Sequence, residues 1–118
     1  MKIALPYTMG TGTMFQHFGR TEYFKVYDID STTKEFLSAD ILSTEGRQHE
    51  DIASFLKEKD IDIVICGGVG DRMVSLLQSL GIQCYTSQEG DVDLIVKSFL
   101  DGTMEKNTEA THHCHHGE

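Results

Sequence analysis

The segment Ile61-Asp62-Ile63-Val64-Ile65-Cys66, followed at once by Gly67-Gly68-Val69-Gly70, constrains the fold more than any other part of the chain. A near-continuous apolar run is what a strand buried on both faces requires, and such strands belong to parallel sheets covered by helices. The glycines mark a sharp exit from that strand. Met73, Leu76, Leu77 and Leu80 then recur at helical spacing, with Gly81 placed as a C-cap. Strand, glycine turn and amphipathic helix together predict a crossover unit.

The remaining segments arrange themselves around this unit. Residues 2–6 (Lys-Ile-Ala-Leu-Pro) predict a short buried strand stopped by proline. Residues 7–22 look irregular, punctuated by Gly10, Gly12 and Gly19, and a loop this long is commonly functional. Residues 23–29 and 35–42 suit the two strands of an antiparallel hairpin, with Asp30, Ser31 and Thr32 in the turn. Ile52, Phe55, Leu56 and Lys59 place a helix over 48–59. Residues 82–86 predict a further strand, and Val92, Ile95, Val96 and Phe99 a last helix ending near Gly102. The order βββαβαβα predicts an α/β fold with one mixed five-stranded sheet flanked by helices. The strands beginning at Lys2, Ile61 and Ile82 should run parallel.

With 118 residues the chain fits one domain, and 39% hydrophobic residues suffice for a core. Apolar residues thin out from about Thr103, so the expected division is a globular domain over 1–103 and a flexible His/Cys-rich tail over 104–118. The net charge of -9 disfavours nucleic-acid backbones and anionic membranes as partners. No stretch approaches the ~18 apolar residues of a membrane helix, and the start does not read as a signal peptide, so a cytoplasmic location is expected. Cys66, Cys84 and Cys114 are odd in number and widely spaced, which argues against a disulfide framework. Cys66 and Cys84 lie in predicted strands and read as small core residues.

Three features carry possible chemistry. The tail places His112, His113, Cys114, His115 and His116 in succession, a ligand set for zinc, nickel, copper or iron–sulfur species. In an extended chain His112, Cys114 and His116 share one face. A purification tag is the plain alternative, although such tags are unbroken histidine runs. The second feature is His17-Phe18-Gly19-Arg20, in a loop leaving the carboxyl end of the first strand, where open α/β sheets place ligands. His17 suits a metal and Arg20 an anion; alternatively Phe18 plugs the core and His17 is simply exposed. The loop's polar, glycine-rich composition suits a mobile cover, and Met9 and Met14 within it offer soft sulfur. The third feature is Gly67, Gly68 and Gly70, which allow close backbone approach beside a helix N-terminus. A tight turn explains these glycines equally well. Asp71-Arg72 read as first-turn polar residues. His49-Glu50 is not a His-Glu-x-x-His zinc site, because Asp51-Ile52-Ala53 follows.

Several of these segments together resemble the NifX/NifB-type family of dinitrogenase iron–molybdenum cofactor-binding proteins. The carriers are Lys2-Ile3-Ala4-Leu5-Pro6, His17-Phe18-Gly19-Arg20 with Tyr23-Phe24, Ile65-Cys66-Gly67-Gly68-Val69-Gly70, and Leu80-Gly81-Ile82-Gln83-Cys84-Tyr85. The resemblance covers residues 1–103, and it implies a ribonuclease-H-like fold used for binding rather than cutting. It also implies a non-catalytic carrier or storage role for an iron–sulfur or iron–molybdenum cluster, with cluster-donor and acceptor proteins as partners. The residues agree that hydrolysis is a poor expectation. A two-metal nuclease needs a carboxylate on the first strand, and Lys-Ile-Ala-Leu-Pro has none. The chain also shows no nucleophile–base pair. Two other functions remain open: a divalent metal-ion buffer or chaperone (nickel, zinc or copper) acting through the tail, and a protein-interaction module.

Overall fold

The computed structural model describes residues 1–111. The tail ligands His112, His113, Cys114, His115 and His116 lie outside the described residues. The fold is the expected α/β sandwich. The strands are β1 (Lys2–Tyr7), β2 (Tyr23–Ile29), β3 (Phe36–Ser43), β4 (Ile63–Ile65) and β5 (Gln83–Tyr85). The helices are α1 (Glu50–Glu58), α2 (Asp71–Ser79) and α3 (Val92–Asp101). The sheet order is β3-β2-β1-β4-β5. β1, β4 and β5 pair parallel, while β1–β2 and β2–β3 pair antiparallel.

Period-two alternation divides the core between two faces. Ala4, Phe24, Val64 and Cys66 point to the face covered by α1 and α2, where they meet Ile52, Phe55, Leu56, Val74 and Leu77. Ile3, Leu5, Tyr27, Ile29 and Ile65 point to the other face, under Val92, Ile95 and Val96 of α3. Burial on both faces explains why the 61–66 segment is apolar at nearly every position. Among the described residues β3 bonds only to β2 and stays largely exposed, including Phe36, Leu37 and Ile41.

Three expectations need correction. Pro6 does not stop β1, which continues through it to Tyr7. The pairing with β4 involves only Ile3 and Ala4, so at Pro6 the missing N–H interrupts no ladder on that side. The Pro6 carbonyl instead accepts from Phe15 N at 3.1 Å. The 7–22 loop is fastened rather than a mobile cover. Met14 N donates to Gly90 O at 2.7 Å, Val92 N to Gly12 O at 3.1 Å, and Phe18 N to Gly68 O at 3.3 Å. Residues 104–111, expected to open the flexible tail, lie against the sheet. Met104 is buried beneath α3, Thr86 N donates to Asn107 O at 2.7 Å, and Thr111 N donates to Val69 O at 2.9 Å. The anchors there are two isolated apolar residues, Met104 and Ala110, and backbone bonds, none of which has a sequence period.

Candidate functional site

The topology sends the connections after β1, β3, β4 and β5 to one edge of the sheet, and three of them surround one crevice. β1 and β4 are parallel, and β3 runs the same way because β2 is antiparallel to both β1 and β3. Their carboxyl ends therefore lie together. The loop after β1 carries His17–Arg20, the loop after β3 leads through His49 into α1, and the turn after β4 leads through Gly70 into α2. A crevice of about 650 Å³ opens between them, and it is lined by residues of all three connections. This is the place where sheet strands continue in opposite directions on either side of β1, the usual ligand position in open α/β sheets.

Phe18 fixes the first wall. Residues Phe18–Arg20 form a short 3₁₀ turn, and the Phe18 ring is 2% exposed. It meets Phe24 edge-to-face at 5.7 Å, and Phe24 stacks on Phe55 of α1 at 6.3 Å. Driving this ring inward leaves its neighbours His17 and Arg20 exposed on the crevice wall. The two readings of the motif are thus compatible: Phe18 plugs the core, and in doing so presents His17 and Arg20. Buried threonines strap the turn to the next loop. Thr21 Oγ1 donates to Phe18 O at 2.8 Å, and Thr44 Oγ1 donates to Thr21 O at 2.9 Å. His49 N donates to Gly19 O at 2.8 Å.

The glycine turn forms the opposite wall. Gly68, Val69 and Gly70 line the crevice, whereas Gly67 is buried behind it. A Cβ at Gly67 would fall 2.1 Å from Gln16 Oε1, so any larger residue there would turn the exposed Gln16 side chain aside. Gly70 has φ -81° and ψ 159°, ordinary extended backbone. Of the expected soft sulfurs, Met14 is buried under α3 and Met9 is exposed away from the crevice; Met73 lines it instead. Cys66 and Cys84 are buried with their sulfurs 4.0 Å apart. Contact with Cys84 Sγ, and then burial, push the Cys66 thiol well up from its ordinary value. It remains a protonated core group rather than a ligand.

Two arginines face the crevice of this acidic protein. Arg20 and Arg72 both line the crevice, and neither makes an ion pair with a carboxylate among the described residues. α1 and α2 both begin on it, at His49, whose side chain makes no cap bond, and at Gly70, which has no side chain to make one. Glu50 is the carboxylate on the lining, and Asp51 and Asp71 add carboxylates to the first turns of α1 and α2. Among the described residues no three His, Cys, Asp or Glu side chains come together to hold a metal ion. The walls therefore favour an anion and offer imidazole and thioether contacts, without forming a closed cage for a bare cation.

A model of the family described as dinitrogenase iron-molybdenum cofactor matches residues 1–102. The chain belongs to this cofactor family. An uncharacterized protein of Methanocaldococcus jannaschii is 29% identical over 111 residues, covering 90% of this chain and 91% of that protein. The crystal structure of PH0822 superposes with a TM-score of 0.82 at 27% identity, covering 90% of this chain and 94% of that one. The apo form of the orange protein from Desulfovibrio gigas superposes with a TM-score of 0.72 at 25% identity, covering 89% and 91%.

For this member of the cofactor family, the crevice gathers His17, Phe18, Gly19, Arg20, Gly68 and Gly70 and leaves Gly67 behind the wall. It adds Gln16, His49, Arg72 and Met73, which the sequence did not single out as a group. His49 and Arg72 carry no local motif. Their signal is topological: each stands within two residues of a helix start that follows a strand's carboxyl end. No helix among the described residues is long and apolar enough to cross a membrane.

Proposed function

We propose that this protein binds and carries an anionic iron–sulfur or iron–molybdenum type cluster in the crevice, without catalysing a reaction on it. The observation that carries this reading is the combined character of the walls: His17, Arg20 and Arg72 beside two helix starts without side-chain caps, and, among the described residues, no three-ligand set for a bare ion. A cluster brings most of its own sulfur ligands, so it needs only one or two protein ligands and a positive surround. His17 is the proposed direct ligand. Arg20, the Gly68–Gly70 turn and the start of α2 supply charge and N–H donors. Phe18 holds the wall, Gly19 leaves room for His49 beside it, and Gly67 leaves room for the Gln16 amide. Family membership supports the same class of cargo, and a related fold solved as an apo form has by that word a ligand-bound counterpart. Such cargo implies donor and acceptor proteins; nucleic acid and membrane remain poor partners for a chain of charge -9.

A separable metal-ion activity is proposed for His112, His113, Cys114, His115 and His116. Its support is the ligand composition and the place where the described chain ends. Thr111 is clipped to Val69 of the crevice lining, with Val69 N donating to Thr111 Oγ1 at 2.7 Å. Divalent nickel, zinc or copper would bind there, and binding should weaken as pH falls through about 6.5, where free imidazole protonates.

Anaerobic titration with a synthetic thiolate-ligated [4Fe–4S] cluster tests the main reading. It is run on the full chain and on a chain lacking residues 112–118, reading visible absorbance and iron per protein. Both proteins should load the cluster, and only the full chain should bind nickel strongly. His17→Ala should lower loading strongly with little change in melting temperature, because the side chain is exposed. Arg20→Ala should lower it less, and more at low salt than at high. Equal loading of wild type and His17→Ala would remove His17 from the site.

A further inference from the structure

His49 is the one crevice residue whose backbone is bent against its own preference. Its φ of 53° and ψ of -127° lie far from the left-handed well near +57°, +47° and in territory that glycine occupies readily. An ordinary helix start has no need of this. Ser, Thr, Asp or Asn at the N-cap would hold the first N–H groups, and His49 makes no side-chain cap bond at all. Nor is the residue retained for burial, since it is exposed. Strained, exposed and without a capping role, the side chain is held where it is by its surroundings.

Those surroundings belong to the other histidine's motif. His49 N donates to Gly19 O at 2.8 Å, and an ideal Cβ on Gly19 would stand 3.2 Å from His49 Nδ1. The absent side chain at position 19 is therefore what makes room for the His49 ring. Nδ1 faces Gly19, and Nε2 is the nitrogen turned farther from it. His17 and His49 thus flank the same glycine from two connections, and both line the one crevice.

We propose that His49 is a second imidazole ligand of the crevice, acting beside His17 on a metal–sulfur cluster. The inference rests on the cluster-binding reading above and specifies it: the cargo exposes at least two exchangeable metal positions, one for each imidazole. In the binding step His49 Nε2 donates its lone pair to one metal atom. The terminal thiolate on that atom leaves with its bonding pair, so no electron is gained or lost by the cluster. Gly19 acts as a positioning residue, through the space it leaves for the ring.

The test uses His49→Gly in the full chain, because glycine accepts the φ and ψ of this position and removes only the imidazole. The probe is the synthetic thiolate-ligated [4Fe–4S] cluster under anaerobic conditions. Half-loading should require about tenfold more cluster than in wild type, the loss expected when one ligand of about 1.4 kcal/mol is removed. The melting temperature should stay level or rise, and added free imidazole should restore loading. The tail histidines are present in both proteins, so the difference isolates His49. Equal loading of the two proteins would overturn the proposal, as would a fall in melting temperature with no rescue by imidazole, which marks a packing residue. A wild-type chain that takes up no cluster would instead defeat the cluster-binding reading, and this proposal with it.

Discussion

The three helices begin in two different ways. α3 starts at Asp91, whose carboxylate accepts from Asp93 N at 2.9 Å and Leu94 N at 3.2 Å. Its first turn is further pinned to the sheet, where Asp93 takes Lys25 Nζ at 2.8 Å and the Tyr27 hydroxyl. The Lys25 bond, and then the Tyr27 bond, hold the Asp93 carboxyl below its usual range, while burial and this carboxylate push the Tyr27 phenol up. α1 and α2 start at His49 and Gly70 with no side-chain cap, and both starts open on the crevice. A capping side chain contributes about 1 kcal/mol. The chain uses it at α3, away from the crevice, and omits it at the two helices that open on the crevice. At α1 the main chain takes over part of that role, with Asp51 N donating to Gln48 O at 3.2 Å and Ile52 N to His49 O at 3.0 Å.

The largest effect should come from the residue that supports the uncapped side. Phe18→Ala removes a ring that is 2% exposed and wedged against Phe24, and such truncations cost about 3–5 kcal/mol. Urea unfolding should show this as a lower midpoint with little change in slope. Cluster loading should fall with it even below the new midpoint, because His17 and Arg20 lose the wall that presents them. A midpoint near wild type would show that the 3₁₀ turn is held by the threonine straps alone, and the crevice wall would then be less dependent on the core than its packing indicates.

The parts of the molecule that were legible beforehand are those governed by period. The 61–66 run, the α2 stripe and the hairpin alternation are each set by how many faces of an element are buried, so sheet composition and strand directions followed. The His17–Arg20 motif was legible as a candidate because it follows the carboxyl end of β1, and it lines the crevice. His49 was not, since the features that distinguish it are a positive-φ backbone and a contact with Gly19, thirty positions earlier in the chain. The packing of 104–111 was equally hidden: Thr111 is held by main-chain and hydroxyl bonds to Val69, which need no apolar pattern.

A smaller effect is expected from the capped side. Asp91→Ala removes both cap bonds of α3 and should lower stability by about 1 kcal/mol. Loading of the synthetic cluster should not change, because Asp91 is absent from the crevice lining. This variant is the control that separates loss of stability from loss of site. If it reduced loading as much as Phe18→Ala, the two faces would be coupled through the sheet, and the division drawn between them would fail.

The smallest and most informative change installs on α2 what α3 already has. Gly70 is the N-cap of α2, and its φ of -81° and ψ of 159° suit any residue, so Gly70→Asp should fold without backbone strain. Its carboxylate can accept from the first-turn N–H groups as Asp91 does on α3. Relative to glycine that gain is only a few tenths of a kcal/mol, with a contribution of similar size from the helix dipole. The melting temperature should therefore rise slightly. Loading of an anionic cluster should fall several-fold, since the same change occupies the donors and adds a negative charge to the wall. Gly70→Ser separates the two causes: a hydroxyl caps without charge, so its loading should lie between wild type and Gly70→Asp, with less dependence on salt. Thermal melts and cluster titrations of the three proteins read both quantities. If Gly70→Asp were more stable and loaded as well as wild type, the missing caps would be incidental, and the difference between the two sides of the sheet would have no bearing on binding.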